Sequence, residues 1–239
     1  ERVLLVSLGP QEKYDRKTYG KALAAALAHL NQTSAPEALC ALPAPLDLDR
    51  YLAVRDAVTT ALDKTYRYER TKSEKKPPSP LQRLQLWVPD PAETGLAKQA
   101  LRHGQAMARG VALAKELGNL PGNICTPTYL ADQAETLAKD FPALKVTILE
   151  EADMAKLGMG ALLSVSRGSR QPAKLIVMHH RGGKKGAKPL VLVGKGLTFD
   201  AGGISLKPGP DMDQMKYDMG GGASVLGTMR AALELQLPI

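Results

Sequence analysis

The second half of the chain alternates short apolar runs with stretches of helical periodicity. Apolar runs at 144–149, 174–180 and 189–195 have the length and composition of buried strands. Helices are predicted after them, at 150–157 and 220–235. Strands that are apolar on both faces need helices on both sides of their sheet. This alternation therefore predicts an α/β fold in which a mixed, mostly parallel sheet is covered by helices.

The first half of the chain predicts a smaller mixed unit. An apolar run at 2–8 and the alternating residues 84–88 indicate strands, and helices are expected at 19–30 and 46–66. A longer helix is expected to follow at 91–118, because apolar residues recur there every three or four positions.

These elements divide the chain into three parts. We expect a partial N-terminal α/β domain at 1–90, an interdomain helix at 91–118 and a second α/β domain at 119–239. Asp90 and Pro91 mark the start of the helix, because aspartate caps helices and proline is favoured in their first turn.

Composition excludes several classes of protein. Of the 239 residues, 44% are hydrophobic and 23% are charged, which permits a packed core and argues against disorder. No apolar run approaches about 18 residues, so no membrane-spanning helix is expected. Two cysteines, Cys40 and Cys125, are too few for a disulfide framework and fit a reducing, cytoplasmic compartment.

The net charge of the chain is compatible with a nucleic-acid partner. The chain has 32 Lys and Arg against 24 Asp and Glu, a net charge of +8. Part of the excess lies at 64–76, where six cations are interleaved with Tyr66 and Tyr68. A solvated basic loop and a loop that contacts nucleic acid both fit this segment.

Residues 191–222 concentrate the charged side chains that could carry chemistry. A predicted strand delivers Lys195 at its carboxyl end, Asp200 follows in a glycine-rich loop, and Asp218 precedes a helix. Ligand sites in open α/β sheets lie at this edge. Two carboxylates suit a divalent cation such as Mn²⁺, Mg²⁺ or Zn²⁺, although surface and helix-capping aspartates give the same spacing.

Other kinds of site fit this half of the chain less well. A dinucleotide loop needs a third glycine where Phe199 stands, and an EF-hand loop starting at Asp211 needs a glycine where Lys216 stands. His179 and His180 are adjacent in a predicted strand and point to opposite faces, so they are not expected to share a metal. A serine hydrolase is disfavoured because the sequence has no GxSxG motif.

The stretches VGKGLTFDAGGISLKP and MDQMKYDMGG, within 193–222, resemble the signature region of the leucyl aminopeptidase family, also called cytosol aminopeptidases. Upstream, ARGVALAKELGNLPGNICTPTYLA resembles the family's interdomain helix and the segment after it. The resemblance is close over 84–239 and looser over 1–83. It implies that 119–239 is the N-terminal part of a metallo-aminopeptidase catalytic domain.

The resemblance implies a role for five residues. Lys195 would be a lysine metal ligand, Asp200 would bridge two metals, and Asp218 would ligate the second metal near the substrate's free amine. Lys207 would be the catalytic lysine that polarises the scissile carbonyl, and Met215 would line the pocket for the N-terminal side chain. A lysine ligates a metal only as the neutral amine, so the metals must lower the pKa of Lys195 while Lys207 keeps its charge.

The resemblance also implies a function. The enzyme would use two divalent metal ions per subunit, Mn²⁺ or Zn²⁺, to hydrolyse peptides and release N-terminal residues, with leucine preferred. It would be a cytoplasmic homohexamer without membrane contact. Some bacterial members of the family act as DNA-binding accessory factors, so a DNA-binding or transcriptional role is the alternative function.

One departure from the family pattern is large. The family completes its site with a later NTDAEGR motif, which supplies an Asp and a Glu for the metals and an Arg that holds a bicarbonate, and this chain has no such motif. The chain would therefore hold three of the five metal ligands. We expect it to be an internal piece of a protein about twice as long and to be inactive in isolation.

Overall fold

A computed structural model describes residues 2–239, which form two compact units. The first unit ends at Ala108 and the second covers Arg109–Ile239. Each combines helices with a two-stranded sheet, so the predicted mixed α/β class is confirmed. Of the helices described, none combines the length and the apolar character that crossing a bilayer requires.

The first unit has two helices and two strands before a long third helix. Asp15 and Asp49 begin the first two helices by accepting hydrogen bonds from the backbone N–H of Thr18 and Leu52, at 2.7 and 2.8 Å. The bounds are α1 Arg16–Leu30, β1 Glu37–Cys40, α2 Arg50–Thr65, β2 Arg83–Leu86 and α3 Thr94–Asn119. Short 3-10 turns lie at Gln11–Lys13 and Pro91–Glu93. The part of α3 from residue 109 onward belongs to the second unit.

The core of the first unit lies on both sides of α2. Tyr19 of α1 is buried against Ala53 of α2, and Val54 of α2 is buried against Ala100 of α3. β1 and β2 run parallel, with inward-facing residues of the sheet packed on the α1–α2 cluster. Helices at 19–30 and 46–66 and a strand near 84–88 were the sequence predictions, and each element is present with shifted ends.

The predicted strand at 2–8 is wrong. The segment is irregular, and Val3 and Leu5 are 84% and 89% exposed. An apolar run becomes a strand only where another backbone takes up its hydrogen bonds, and no described strand does so here. β1 pairs with β2 instead, although its four residues are too short to show a period.

The second unit places an antiparallel pair of strands among four further helices. Their bounds are α4 Pro127–Asp140, β3 Leu144–Leu149, α5 Glu151–Lys156, α6 Gly160–Ser166, β4 Leu175–His180 and α7 Gly220–Glu234, with a 3-10 turn at Met212–Met219. Leu144 lies opposite His180 and Leu149 opposite Leu175. α4 packs against β3, and Thr126 caps it by accepting a hydrogen bond from the backbone of Tyr129.

Two glycines bring α7 against the end of α3. A Cβ atom at Gly110 would lie 2.4 Å from the carbonyl oxygen of Gly227, and a Cβ at Gly227 would lie equally close to that of Gly110. Backbone contacts this close leave no room for a side chain. Arg109 also donates to the carboxylate of Glu234 at 2.5 Å. α7, which begins directly after Asp218, is thereby held on α3.

The predicted strand at 189–195 is wrong as well. The segment is irregular, and Val191 and Val193 are 70% and 92% exposed. Among the described residues, β3 and β4 pair only with each other, and no strand lies beside this segment. The run has the composition of a strand but lacks the neighbouring backbone that would make it one.

Candidate metal centre

Four of the five residues singled out from the sequence form two ion pairs. The Nζ atom of Lys195 lies 2.8 Å from Oδ2 of Asp218. The Nζ atom of Lys207 lies 2.5 Å from Oδ2 of Asp200 and donates a hydrogen bond to it. The two lysines and two aspartates therefore lie in one glycine-rich region between residue 194 and the start of α7.

Backbone contacts bring Lys195 to the start of α7. The N–H of Gly222 donates to the carbonyl oxygen of Lys195 at 2.7 Å. A Cβ atom at Gly194 would lie 2.4 Å from the carbonyl oxygen of Gly221, and one at Gly221 would lie 2.8 Å from the nitrogen of Lys195. Only glycine permits such an approach. This glycine seam, Gly194 with Gly221, sets Lys195 next to Asp218.

A tight loop brings Lys207 back to Asp200. The N–H of Gly202 donates to Oδ1 of Asp200 at 2.9 Å, and the N–H of Lys207 donates to the carbonyl oxygen of Ala201 at 2.9 Å. Gly202 has a φ of +92°, and a Cβ there would lie 2.3 Å from the carbonyl oxygen of Ser205. The turn therefore requires glycine, and it returns the chain so that the second lysine meets the first aspartate.

The 3-10 turn at Met212–Met219 is tied to the end of α3. Lys216 approaches the carbonyl oxygen of Asn119 at 3.4 Å, and the hydroxyl of Tyr217 approaches the side-chain oxygen of Asn119 at the same distance. Met219, the last residue of the turn, is fully buried. Met215 is half-buried in this turn, three residues before Asp218. Sequence spacing gave no sign of the role of Asn119, which lies far away in the chain.

The two pairs shift the pKa values of their members. The close contact with Asp218, with the negative charges of Asp218 and Asp200 added, raises the pKa of the Lys195 amine. The hydrogen bond from Lys207, with that from the Gly202 N–H, lowers the pKa of the Asp200 carboxyl. Without a metal, Lys195 is therefore an ammonium and Asp200 a carboxylate.

One carboxylate oxygen makes this region suited to a cation. Oδ2 of Asp218 is buried, and no hydrogen-bond donor of the described residues is aligned with it. The ammonium of Lys195 lies 2.8 Å from this oxygen and forms an ion pair with it. Two carboxylates, together with a lysine that has lost its proton, make a donor set for a divalent cation. Among the residues described, no cluster of three or more His, Cys, Asp or Glu has the geometry of a metal site.

The other candidates from the sequence lie outside the site. Asp211 and Asp213 are exposed, as expected of solvated loop residues. His180 is engaged with the carbonyl oxygen of Leu237 at 2.9 Å, whereas His179 is exposed on the sheet. The two histidines thus face different surroundings, in line with their alternation along β4.

Two protein-family models match this chain, one in each half. A model of the cytosol aminopeptidase family, catalytic domain, matches residues 112–239, and a model of the N-terminal domain of the same family matches residues 1–75. Matching proteins that are named cytosol aminopeptidase or leucine aminopeptidase are, by those names, peptidases that act on the amino terminus. The chain belongs to the cytosol aminopeptidase family, and the resemblance found in its sequence is confirmed.

Relatives of known sequence are about twice as long as this chain. It is 54% identical to a probable cytosol aminopeptidase of Nitrosococcus oceani, covering 100% of this chain and 48% of the relative. It is 52% identical to a protein of the same description from Thioalkalivibrio sulfidiphilus, covering 100% and 49%. The chain therefore spans about half the length of the curated relatives it matches.

Solved structures show the same fold over the same half. The bottromycin maturation enzyme BotP is 31% identical with a TM-score of 0.82, covering 98% of this chain and 47% of that one. BotP has also been solved in complex with Mn, at 30% identity and a TM-score of 0.79. A mutant of tomato leucine aminopeptidase is 29% identical with a TM-score of 0.80, covering 93% and 43%.

Proposed function

We propose that the whole protein is a metal-dependent aminopeptidase that releases N-terminal residues from peptides, with leucine preferred. The observation that carries this proposal is the pairing of Lys195 with Asp218 and of Lys207 with Asp200 in one loop region of a cytosol aminopeptidase chain. Residues 119–239 would be the N-terminal part of its catalytic domain, 91–118 the interdomain helix and 1–90 part of the N-terminal domain.

Lys195, Asp200 and Asp218 would hold two divalent ions, Mn²⁺ or Zn²⁺, with Asp200 between them. Metals in such a site supply an acidified water and polarise the peptide carbonyl. Lys195 would have to lose its proton, because only a neutral amine can bind a metal ion. Asp218, whose buried Oδ2 is paired with Lys195, would offer that oxygen to a metal once the lysine is neutral. That oxygen also suits the free amine of a peptide substrate.

Lys207 would act on the substrate as a cation. Two contacts hold the Lys207 ammonium in the loop region of the site. They are the backbone hydrogen bond from Lys207 to Ala201 and the side-chain hydrogen bond from Lys207 to Asp200. An ammonium placed beside the scissile carbonyl stabilises the oxyanion that forms in the tetrahedral intermediate. Lys195 would thus act as a neutral amine that binds a metal ion, whereas Lys207 would act as a charged ammonium on the substrate.

The remaining proposals concern the pocket and the assembly. Met215 would line the pocket for the N-terminal side chain, since a flexible thioether adapts to several apolar groups. The whole protein would be a cytoplasmic homohexamer acting on peptides. A bicarbonate held outside the residues of this chain would serve as the general base.

Hydrolysis of a leucine anilide by the full-length protein tests the proposal. Activity should be lost on treatment with a chelator and restored by Mn²⁺ or Zn²⁺, and an N-acetylated substrate should not be cleaved. Asp200→Asn and Asp218→Asn should each lower the metal content and the rate, whereas Asp213→Asn, an exposed residue of the same region, should change neither. Cleavage of the blocked substrate at a similar rate, or full metal content in both Asn variants, would contradict the proposal.

A further inference from the structure

Lys216 is a third lysine of the candidate metal centre and takes no part in its two ion pairs. It lies in the 3-10 turn Met212–Met219, two residues before Asp218. The ion pairs of the site use Lys195 and Lys207. Lys216 is half-buried, and it forms no ion pair among the residues that the structure describes. A partly desolvated ammonium needs other polar partners, because water no longer surrounds it fully.

The ammonium of Lys216 finds these partners at the end of α3. Its Nζ atom lies 3.4 Å from the carbonyl oxygen of Asn119, the last residue of α3. The last carbonyl groups of a helix have no partner inside the helix, and the helix dipole places partial negative charge at this end. The same Nζ atom lies 5.0 Å from the centre of the Tyr217 ring, which is within cation–π range. The charge of Lys216 therefore connects the turn to α3.

Contacts of Tyr217 join the same two elements. Its hydroxyl lies 3.4 Å from Oδ1 of Asn119, and a Cβ atom at Gly118 would lie 3.7 Å from its ring. These are a weak hydrogen bond and an ordinary van der Waals contact. Tyr217 is also 50% exposed, so much of its side chain is not packed. A charge acts over a longer distance than a neutral hydrogen bond, so Lys216 supplies the larger part of this connection.

The turn is held firmly only behind Asp218. There α7 follows it, and the close backbone contact of two glycines holds α7 on α3. At the leading end of the turn, the backbone hydrogen bonds of the described residues are local, as where the N–H of Met212 donates to Gly209 at 3.2 Å. Local bonds shape the turn but do not fix its distance from α3. The position of the turn on α3 thus depends on Lys216 and Tyr217.

We propose that Lys216 is a positioning residue of the aminopeptidase site, because it holds the turn that carries Met215 and Asp218 against α3. This role rests on the proposed function, which places Asp218 at the metals and Met215 in the pocket for the N-terminal side chain. Without the charge, the turn should open more often and Asp218 should lie less regularly beside Lys195. In this arrangement Lys216 contacts neither substrate nor metal and acts through its neighbours in the turn.

Three variants separate the charge of Lys216 from its size and from the net charge of the protein. Lys216→Met removes the charge and keeps an unbranched side chain of similar length. Lys216→Arg keeps a cation, which interacts with a carbonyl oxygen and an aromatic ring as lysine does. Lys185→Met is the matched control, because Lys185 is an exposed lysine of the same unit and lies far from the turn in the sequence.

Amide hydrogen exchange tests the connection without any assay of activity. It is measured on the metal-free full-length protein, by mass spectrometry of peptides that cover residues 212–219. In Lys216→Met these amides should exchange roughly tenfold faster or more, because the turn opens more often. In Lys216→Arg and Lys185→Met, exchange should stay within about threefold of the unchanged protein. Peptides from the first unit should exchange at the same rate in all three variants.

Manganese binding and kinetics test the consequence for the site. In Lys216→Met we expect the Kd for Mn²⁺ to rise and kcat/KM for leucine anilide to fall, each by roughly fivefold or more, because small displacements of a site are costly. The ratio of kcat/KM for leucine anilide to that for alanine anilide should also fall, since Met215 is displaced. Lys216→Arg should restore all three quantities to within about threefold of the unchanged protein. A residue that only stabilised the fold would lower the melting temperature and leave the Kd for Mn²⁺ and this ratio unchanged.

Three results would overturn the proposal. They are unchanged exchange over 212–219 in Lys216→Met, an unchanged Kd for Mn²⁺ in that variant, and equal losses in Lys216→Met and Lys216→Arg. If the unchanged protein failed to hydrolyse leucine anilide, the proposed function would be wrong, whereas exchange and Mn²⁺ binding would still decide the role of Lys216. If Lys216→Met did not fold, Lys216→Gln would replace it under the same criteria.

Discussion

Lys195 and Asp218 neutralise each other across 2.8 Å, although both belong to the candidate metal ligands. A cation that binds here must displace the proton of Lys195 and take over the charge of Asp218. Because the contact with Asp218 raises the pKa of Lys195, that proton is held more firmly than in a free lysine. Metal binding therefore releases a proton, and affinity should rise with pH by up to about tenfold per unit below that pKa.

Replacing Lys195 by arginine tests its role as a ligand. Lys195→Arg keeps a cation beside Asp218 but cannot offer a neutral nitrogen, because guanidinium stays protonated. One of the two proposed metal ions should be lost, as measured by elemental analysis of the full-length protein. Lys188→Arg, at an exposed position away from Asp218, should keep both. Two metal ions per chain in Lys195→Arg would show that this lysine is not a ligand.

Removing the amine of Lys207 should separate rate from metal content. Lys207→Ala should lower kcat by roughly 10²–10³ because the oxyanion loses its cation, with metal content unchanged. Steady-state kinetics on a leucine anilide, with metal analysis of the same sample, measure both. Turnover near that of the unchanged enzyme would remove Lys207 from the mechanism.

The glycine contact between α3 and α7 predicts a large effect on stability. In Gly227→Ala the new Cβ meets the carbonyl oxygen of Gly110 at 2.4 Å, so the helices must move apart, at a cost of about 1–3 kcal/mol or more. Gly20→Ala, in α1, meets nothing within 4 Å and should stabilise the protein by about 0.5–1 kcal/mol. Urea unfolding measures both, and equal effects would contradict the close contact.

Acid should weaken the first unit through Asp56. Partial burial would raise the pKa of Asp56, but Arg16 at 2.6 Å and Arg55 at 2.9 Å outweigh it and lower that pKa. The stabilisation is therefore present above the unfolded value of about 4 and is lost as pH falls through the lower, folded value.

Asp56→Asn removes this dependence. The variant should have a lower melting temperature than the parent at pH 7, and this difference should shrink as the pH falls below about 4. Asp47→Asn, an exposed residue without an ion pair in the described structure, should track the parent throughout. If the melting temperatures of Asp56→Asn and the parent differed by the same amount at all pH values, the ion-pair explanation would be excluded.

The 239-residue chain produced alone should be inactive. It carries Lys195, Asp200 and Asp218 as candidate ligands, and the apolar residues 190–193 are exposed. Such a surface favours association and dye binding. Assays of leucine anilide hydrolysis with added Mn²⁺, and of the fluorescence of a hydrophobic dye, measure the two properties. Clear turnover would mean that these ligands suffice.

A six-residue apolar run whose neighbouring strand lies in the same unit was predicted correctly from the sequence. The strand predicted at 144–149 is present with the same ends, because its partner β4 follows within the same unit. The runs at 2–8 and 189–195 have equally apolar compositions, but no strand of the described residues lies beside them. An apolar composition shows that a segment can be buried, but it does not show whether another backbone lies next to that segment.

The candidate site was predictable as a set of residues but not as pairs. The motif singles out Lys195, Lys207, Asp200 and Asp218, yet their order along the chain does not tell which lysine meets which aspartate. The hydrogen bond from Gly222 to Lys195 and the turn at Gly202 decide the pairing. Both depend on backbone conformations that no residue spacing describes.

The glycines of the loop region differ in whether they can be replaced by another residue. At Gly194 and Gly221 any side chain would collide with backbone, so these sites can hardly vary in descendants of this sequence. Gly196 and Gly209 lie in the same region with nothing within 4 Å of an added Cβ. Divergence among related proteins can therefore accumulate at the open glycines, where a new side chain alters the surroundings of the lysine–aspartate pairs without moving them.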